Sequence, residues 1–328
     1  MRALVYTATE TLEMRDVPLP QPGPGQACVR VSHCGICGSD MHAWHGHDER
    51  RIPPLVLGHE AVGVAETGEH AGKRVAINPL MTCGRCAACR NGREHLCPNR
   101  EMLGMRVPGA FAEAVVIAEA NLKPLPDHLP DCAAVVAEPL AVAVHAARLA
   151  PAIAAGATNT VILGGGAIGL LTALVVRHLG VARIAIAETA PGRRAALDRL
   201  LGAGTAYDPR EGAPIADGRA EVVIDAVGSG QTRAAASAMV IPGGTIVHVG
   251  LQNGDAGLDT RRLTLQEITF VGAYCYTHAD FDAALSLLAS GAVSTSGWSE
   301  TRPLADGARS FRDIDSGVAP AKVVLATS

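Results

Sequence analysis

The chain has 328 residues, long for a single hydrophobic core, so two domains are expected. Hydrophobic residues make up 48% but aromatics only 3%. The cores should therefore rest on Ala, Val, Leu and Ile, which suits helices packed on a parallel sheet better than an aromatic-rich sandwich. A net charge of -4, from 28 basic and 32 acidic residues, excludes the basic stripe needed to follow a polyanion, so no nucleic-acid partner is expected. Met1 to Met14 has no apolar run of leader length and carries Glu10 and Glu13. The longest apolar stretches, such as Val135 to Ala147, are interrupted by Glu138, Pro139 and His145. A cytoplasmic protein without membrane contact is the expectation.

In chain order, the first part reads as short β-type runs between Gly- and Pro-rich turns: Ala27 to Val31, Ala61 to Ala65, Arg74 to Ile77 and Phe111 to Ile117. After Ala150 the rhythm changes. Thr160 to Leu163 reads as a buried strand, followed by a glycine cluster and a helix to Leu179. Arg183 to Ala187 is the next strand, and a helix from Pro191 to about Leu201 is stopped by Gly202. Glu221 to Ala226 and Thr245 to Val249 read as strands with a helix, Gln231 to Met239, between them. Such alternation predicts a doubly wound parallel sheet. A last helix (Asp282 to Leu288) and strand (Lys322 to Leu325) are expected to return to the first domain.

Gly164, Gly166 and Gly169 have the G-x-G-x-x-G spacing, after a strand and at the head of a helix. The first permits a tight turn, the second lets backbone approach a pyrophosphate, and the third lets helix pack on strand. Glu188 ends the following strand, where a carboxylate accepts hydrogen bonds from ribose hydroxyls and repels a 2′-phosphate. NAD is expected over NADP, although Arg193 and Arg194 nearby suit the opposite choice.

Four of the nine cysteines, Cys83, Cys86, Cys89 and Cys97, form C-x2-C-x2-C-x7-C. Four close thiolates can close a tetrahedral shell around one structural zinc. An iron–sulfur cluster is the rival, but the spacing is neither of the common ferredoxin patterns. A second, dispersed constellation comprises Cys34, Cys37, Ser39, Asp40, His42, His59, Glu60 and Glu138. Zinc favours Cys, His and carboxylate, and a catalytic ion needs three protein ligands with one position open. Spacing alone leaves a redox Cys34/Cys37 pair possible too.

Taken together, Gly-Ile-Cys37-Gly-Ser39-Asp40 with His42, Gly58-His59-Glu60, the four-cysteine lobe, Glu138-Pro139-Leu140 and Gly164 to Gly169 resemble the zinc-dependent medium-chain alcohol dehydrogenase family, nearest its sorbitol/polyol and butanediol branch. The resemblance covers essentially the whole chain. It implies an α/β protein: a β-rich GroES-like catalytic domain (1–139 with 275–328) carrying two zinc ions, and a Rossmann NAD-binding domain (140–274). It makes Cys37, His59, Glu60 and Glu138 the candidate catalytic ligands, with either Glu60 or Glu138 in direct contact, and Asp40 the residue orienting a ligand imidazole. Ser39 and His42 resemble the family's proton relay.

By the same resemblance Ile168 and Val142 press on the nicotinamide. Arg193 approaches the adenosine ribose, Val227 and Val249 face the cofactor, and Lys322 stands where a pyrophosphate-binding arginine is common. Trp44 and Tyr274 would line the substrate pocket. Where sorbitol dehydrogenases have Arg-Tyr this chain has Ala273-Tyr274, which puts sorbitol itself in doubt. A small secondary alcohol, diol or polyol is expected as substrate, with a threonine-like amino-alcohol or sugar-alcohol phosphate as alternatives. A homodimer or homotetramer is expected, with residues near Thr264 to Ala273 as the pairing edge. A non-catalytic NAD- and zinc-binding redox sensor is the competing reading, and a zinc-ribbon nucleic-acid module a remote one.

Overall fold

The computed structural model describes residues 1–252, 254–294 and 296–327. It divides into two compact units, Met1–Glu138 with Thr277–Ser328, and Pro139–Tyr276.

The first unit is mainly β. Its centre is the long strand Gln26–Gly35, which pairs antiparallel with Glu60–Ala65, Ala114–Ala118 and the terminal Lys322–Ala326. A bulge between Val31 and His33 lets this strand serve several partners. Lys322–Ala326 also pairs in parallel with Ser299–Pro303. The end of the chain therefore completes the sheet begun by its start. A separate small sheet holds the hairpin Arg2–Ala8 and Thr11–Asp16 with Leu55–Val56. This hairpin has no counterpart among the predicted elements. The predicted strand Phe111 to Ile117 begins later, at Ala114. Phe111 is instead fully buried beside Phe311, their ring centroids 6.1 Å apart at 87°. Few aromatics are present, but the core of this unit gathers them: Trp44 also lies 6.1 Å from Phe311.

The second unit is a sheet of parallel strands with helices between them. Numbered by appearance, its six described strands (Asn159–Leu163, Arg183–Ala187, Ala206–Tyr207, Ala220–Asp225, Val240–His248, Thr269–Gly272) lie in the order 3-2-1-4-5-6. This is the doubly wound dinucleotide-binding order, and it reverses between Asn159–Leu163 and Ala220–Asp225. Val161, Val223 and Ile246 are completely buried in its core, as expected of strands covered on both faces. The helices Ala167–His178, Pro191–Leu201 and Gly230–Met239 occupy the predicted places. Thr269–Gly272 is the edge strand within the predicted pairing region.

Candidate active site and metal centres

At the end of Gln26–Gly35 the chain turns into the helix Gly38–Trp44, with Cys37 capping it. The Cys37 N–H donates to Asp40 Oδ2 at 3.0 Å, which ties the cap to the first turn. His59 precedes Glu60–Ala65, reached through Gly58 at φ 92°, where a Cβ would lie 2.7 Å from the Phe111 ring. These two chain ends meet. Ligand atoms of Cys37, His59 and Glu60 all lie within 4.8 Å of one another, and His59 and Glu60 are buried. Asp40 Oδ1 stands 3.5 Å from His59 Nδ1. Burial would raise the Asp40 carboxyl, but the His59 imidazole, the Arg51 charge and the Cys37 N–H hold it below the ordinary carboxylate range. Burial would lower His59, but Asp40 and Cys37 raise it well above the usual imidazole value.

Thiol, imidazole and carboxylate are the donor types zinc takes at a catalytic centre, and buried Glu60 Oε1 has no hydrogen-bond partner. The residues fit the metal. Glu138 falls outside this set of mutually close atoms. It is buried in the first turn of the helix Ala137–Arg148, and its charge acts on Lys322.

Lys322, expected at the pyrophosphate, is found beside Glu60. Its Nζ is buried, forms an ion pair with Glu60 and donates to the Ile36 carbonyl at 2.9 Å. Burial would lower its pKa, but Glu60, Cys37 and then Glu138 raise it. In this structure the ammonium is turned to the Glu60 carboxylate and the Ile36 carbonyl. Gly35 makes room for the pair, since a Cβ there would lie 2.1 Å from Glu60 Oε2. Trp44 is only 5% exposed and packs against Phe311 in the core of the first unit. Cys34 is buried against Gly58 and Phe111, and its thiol is pushed well above its usual value by burial and by Asp40 and Glu60. Burial of this kind works against the thiolate that a redox pair needs.

Ser39 and His42 lie on the Gly38–Trp44 helix. The residue that motif reading missed is Arg51. Its side chain is wholly buried, with Nη2 donating to Ser39 Oγ at 3.2 Å, Nη1 to the Ser39 carbonyl at 3.3 Å and Nε to the Gly104 carbonyl at 2.8 Å. Asp48 balances the charge, 2.6 Å from Nη1. Burial lowers the His42 pKa, helped by His47, His45 and Arg51 and opposed by Asp48, which favours a neutral imidazole at neutral pH.

The four lobe cysteines have Sγ atoms within 4.8 Å of one another, and Cys97 is buried beneath the others. Zn–S bonds of about 2.3 Å set tetrahedral S···S distances of roughly 3.8 Å, so this donor set fits. N–H groups of Arg85 and Cys86 bring the Cys83 thiol down to about 6. Burial and the Cys86 and Cys97 thiols push Cys89 up to about 11.

In the second unit Gly164, at φ 101°, turns the chain out of the first strand. Gly169 then lets the helix approach, since a Cβ there would fall 1.8 Å from the Gly164 carbonyl oxygen. Glu188 is buried and reaches back to this turn, accepting from the Gly165 N–H at 3.1 Å and the Ala190 N–H at 2.8 Å. Ile168 is half-buried in the first helical turn, and Val142 half-buried in Ala137–Arg148. Val227 and Val249 follow the fourth and fifth strands, their N–H groups taken by Asp225 Oδ1 and the Asp225 carbonyl at 3.0 and 2.9 Å. Arg193 is half-buried in Pro191–Leu201, and Tyr274 half-buried after the edge strand.

Residues 23–127 match the alcohol dehydrogenase GroES-like domain, and residues 167–290 match the zinc-binding dehydrogenase family. An L-galactonate-5-dehydrogenase of Escherichia coli K12 is 31% identical over 90% of this chain and 89% of its own. An L-threonine 3-dehydrogenase of Streptomyces avermitilis is 33% identical over 98% of this chain and 96% of its own. Among solved structures, a zinc-binding dehydrogenase of Sinorhizobium meliloti 1021 bound to NADP has a TM-score of 0.88 at 29% identity, covering 99% of this chain and 98% of that one. With these matches, the glycine turn and the clustered donor sets, the chain belongs to the zinc-dependent medium-chain dehydrogenase family of oxidoreductases.

Proposed function

We propose that this oxidoreductase uses NAD and a catalytic zinc to interconvert a small secondary alcohol, diol or polyol with its ketone, and that a second zinc is structural. The observation that carries the reading is the convergence of Cys37 with the buried His59 and Glu60, supported by Asp40. Cys37, His59 and one carboxylate would hold the catalytic ion. Glu60 is favoured for that carboxylate by its place in the cluster, with Glu138 as its alternate. When bound, zinc supplies Lewis acidity that acidifies the substrate hydroxyl, and the nicotinamide supplies the hydride acceptor.

The chain's own residues then manage the proton. Arg51 occupies one acceptor position on Ser39 Oγ, so the Ser39 hydrogen points elsewhere. The remaining lone pair is free to take the substrate's proton. Ser39 passes that proton on, and neutral His42 delivers it to solvent. Cys83, Cys86, Cys89 and Cys97 would hold the structural ion and keep their lobe folded. The Glu188 carboxylate at the end of the second strand favours NAD.

A sugar acid or an amino-alcohol is the second substrate reading, since the two relatives act on L-galactonate and L-threonine. Pairing of Thr269–Gly272 edges is proposed to build a homodimer or homotetramer. A cytoplasmic location is proposed, and no helix among the described residues is long and apolar enough to cross a membrane.

The test has two arms. Metal analysis should find two zinc ions per chain. A screen of diols, polyols, sugar acids and amino-alcohols with NAD should raise the absorbance of reduced nicotinamide, and Cys37→Ala should abolish the signal. Full activity in Cys37→Ala would overturn the assignment of the centre.

A further inference from the structure

Two cations crowd the end of the strand Arg183–Ala187, beside the carboxylate of Glu188. Arg194 Nη1 donates to the carbonyls of Glu188 and Thr189, each at 2.8 Å. Arg210 Nη2 donates to the Thr189 carbonyl at 3.1 Å. Both guanidiniums are also gripped by one carboxylate. Asp208 Oδ2 lies 3.1 Å from Arg194 Nη1, and Arg210 Nε donates to Asp208 Oδ1 at 2.8 Å. Asp208 follows the short strand Ala206–Tyr207, which pairs in parallel with Ile186–Ala187. Its side chain is only 3% exposed, while that of Arg210 is 68% exposed. Hydrogen bonds from Arg210, with the charges of Arg210 and Arg194, hold the Asp208 carboxyl below its ordinary range.

The two guanidiniums are ion-paired to the Asp208 carboxylate, while the Glu188 carboxylate accepts from the Gly165 and Ala190 N–H groups. Without Asp208 the same backbone contacts would leave two arginines and a single carboxylate at the strand end. A positively charged fork of that kind binds phosphate. We infer that Asp208 sets cofactor choice, holding Arg194 and Arg210 in ion pairs and so withholding them from the 2′-phosphate that distinguishes NADP from NAD. The inference rests on the reading that the glycine turn binds a dinucleotide. Glu188 excludes the phosphate by repulsion, and Asp208 disarms the cations that would offset that repulsion. The two acids act by different routes, and removing Asp208 alone turns the balance.

The test is calorimetric titration of the full chain with NAD and with NADP, without substrate, so no turnover is required. The unmodified chain should bind NAD about 10-fold more tightly than NADP. Asp208→Asn should tighten NADP binding about 10-fold and leave NAD within about 3-fold. Arg210→Gln added to Asp208→Asn, at a mostly exposed position whose change does not threaten folding, should take back most of that gain with NAD again little changed. An unmoved NADP-to-NAD ratio in an Asp208→Asn chain that melts like the unmodified one, or a gain that survives in full when Arg210→Gln is added, would overturn the role of Asp208. If the unmodified chain bound neither dinucleotide, the reading of the glycine turn would fail, and this inference with it.

Discussion

Alanine at Gly169 and alanine at Gly166 should have opposite consequences, although both residues belong to one turn. At Gly169 the new Cβ would sit 1.8 Å from the Gly164 carbonyl oxygen, a backbone atom that cannot swing aside. Relief requires moving the helix Ala167–His178 away from its strand by more than an ångström. Overpacking of this kind costs up to about 3 kcal/mol, and the better helix propensity of alanine returns about 1 kcal/mol. A net loss of about 2 kcal/mol corresponds to a fall of roughly 6 °C in the melting temperature. At Gly166 the backbone has φ -73° and ψ -170°, which alanine adopts freely, and a Cβ would meet nothing within 4 Å. The melting temperature should stay within about 2 °C, since a substitution with room and allowed backbone changes stability by about 0.5 kcal/mol. NAD binding should nevertheless weaken about 10- to 100-fold, because the methyl fills the space the pyrophosphate needs. Thermal denaturation and calorimetric titration of the two variants read the two effects separately. A Gly166→Ala chain that binds NAD like the unmodified chain, or a Gly169→Ala chain that melts like it, would refute the reasoning.

Cys97→Ser should lower the zinc content from two ions to about one and open the 83–97 lobe to proteolysis, because a closed four-thiolate shell is lost; retention of both ions would contradict this. Arg51→Met should lower kcat about 10- to 100-fold, the worth of one charge-assisted hydrogen bond on Ser39, with zinc content and NAD affinity unchanged. Arg51→Lys should recover part of that loss, and an unchanged kcat in Arg51→Met would show that Ser39 works without it. Asp48 supplies a pH dependence. Burial would raise its carboxyl, but Arg50 and Arg51 hold it down to about 2, against 3.8 ordinarily. A depressed folded pKa adds stability that is complete above the unfolded value and is lost as pH falls through the folded one. Denaturant unfolding of Asp48→Asn should therefore show a constant deficit above about pH 5 that shrinks between about pH 4 and 2. A deficit unchanged across that window would refute the ion-pair account.

What could be read from the chain alone was whatever its chemistry keeps local. The glycine turn lies within six consecutive residues between a strand and a helix, so spacing and context together announce it. The four-cysteine lobe is equally contiguous, and all four sulfurs do gather. Alternating strands and helices after Ala150 predicted the parallel sheet because strands covered on both faces must be continuously apolar. The hairpin Arg2–Ala8 and Thr11–Asp16 escaped notice because its apolar content is short, a four-residue run from Ala3 to Tyr6 and then only Leu12 and Met14.

Long-range contacts had no such signature. Arg51 reads as one of several charges in a loop, and only folding turns it inward onto Ser39 and Asp48. Lys322 lies more than 250 residues from Glu60 in sequence, and its meeting with that carboxylate follows from the last strand pairing beside Gln26–Gly35. Trp44 closes a short helix, and its burial against Phe311, far away in sequence, likewise follows from the fold. Local spacing thus marked the glycine turn and the four-cysteine lobe, while the dispersed candidates from Cys37 to Glu138 were named by resemblance. Which buried charges stand beside them was decided by strand pairing, since a charge enters a core only where the fold brings it a partner.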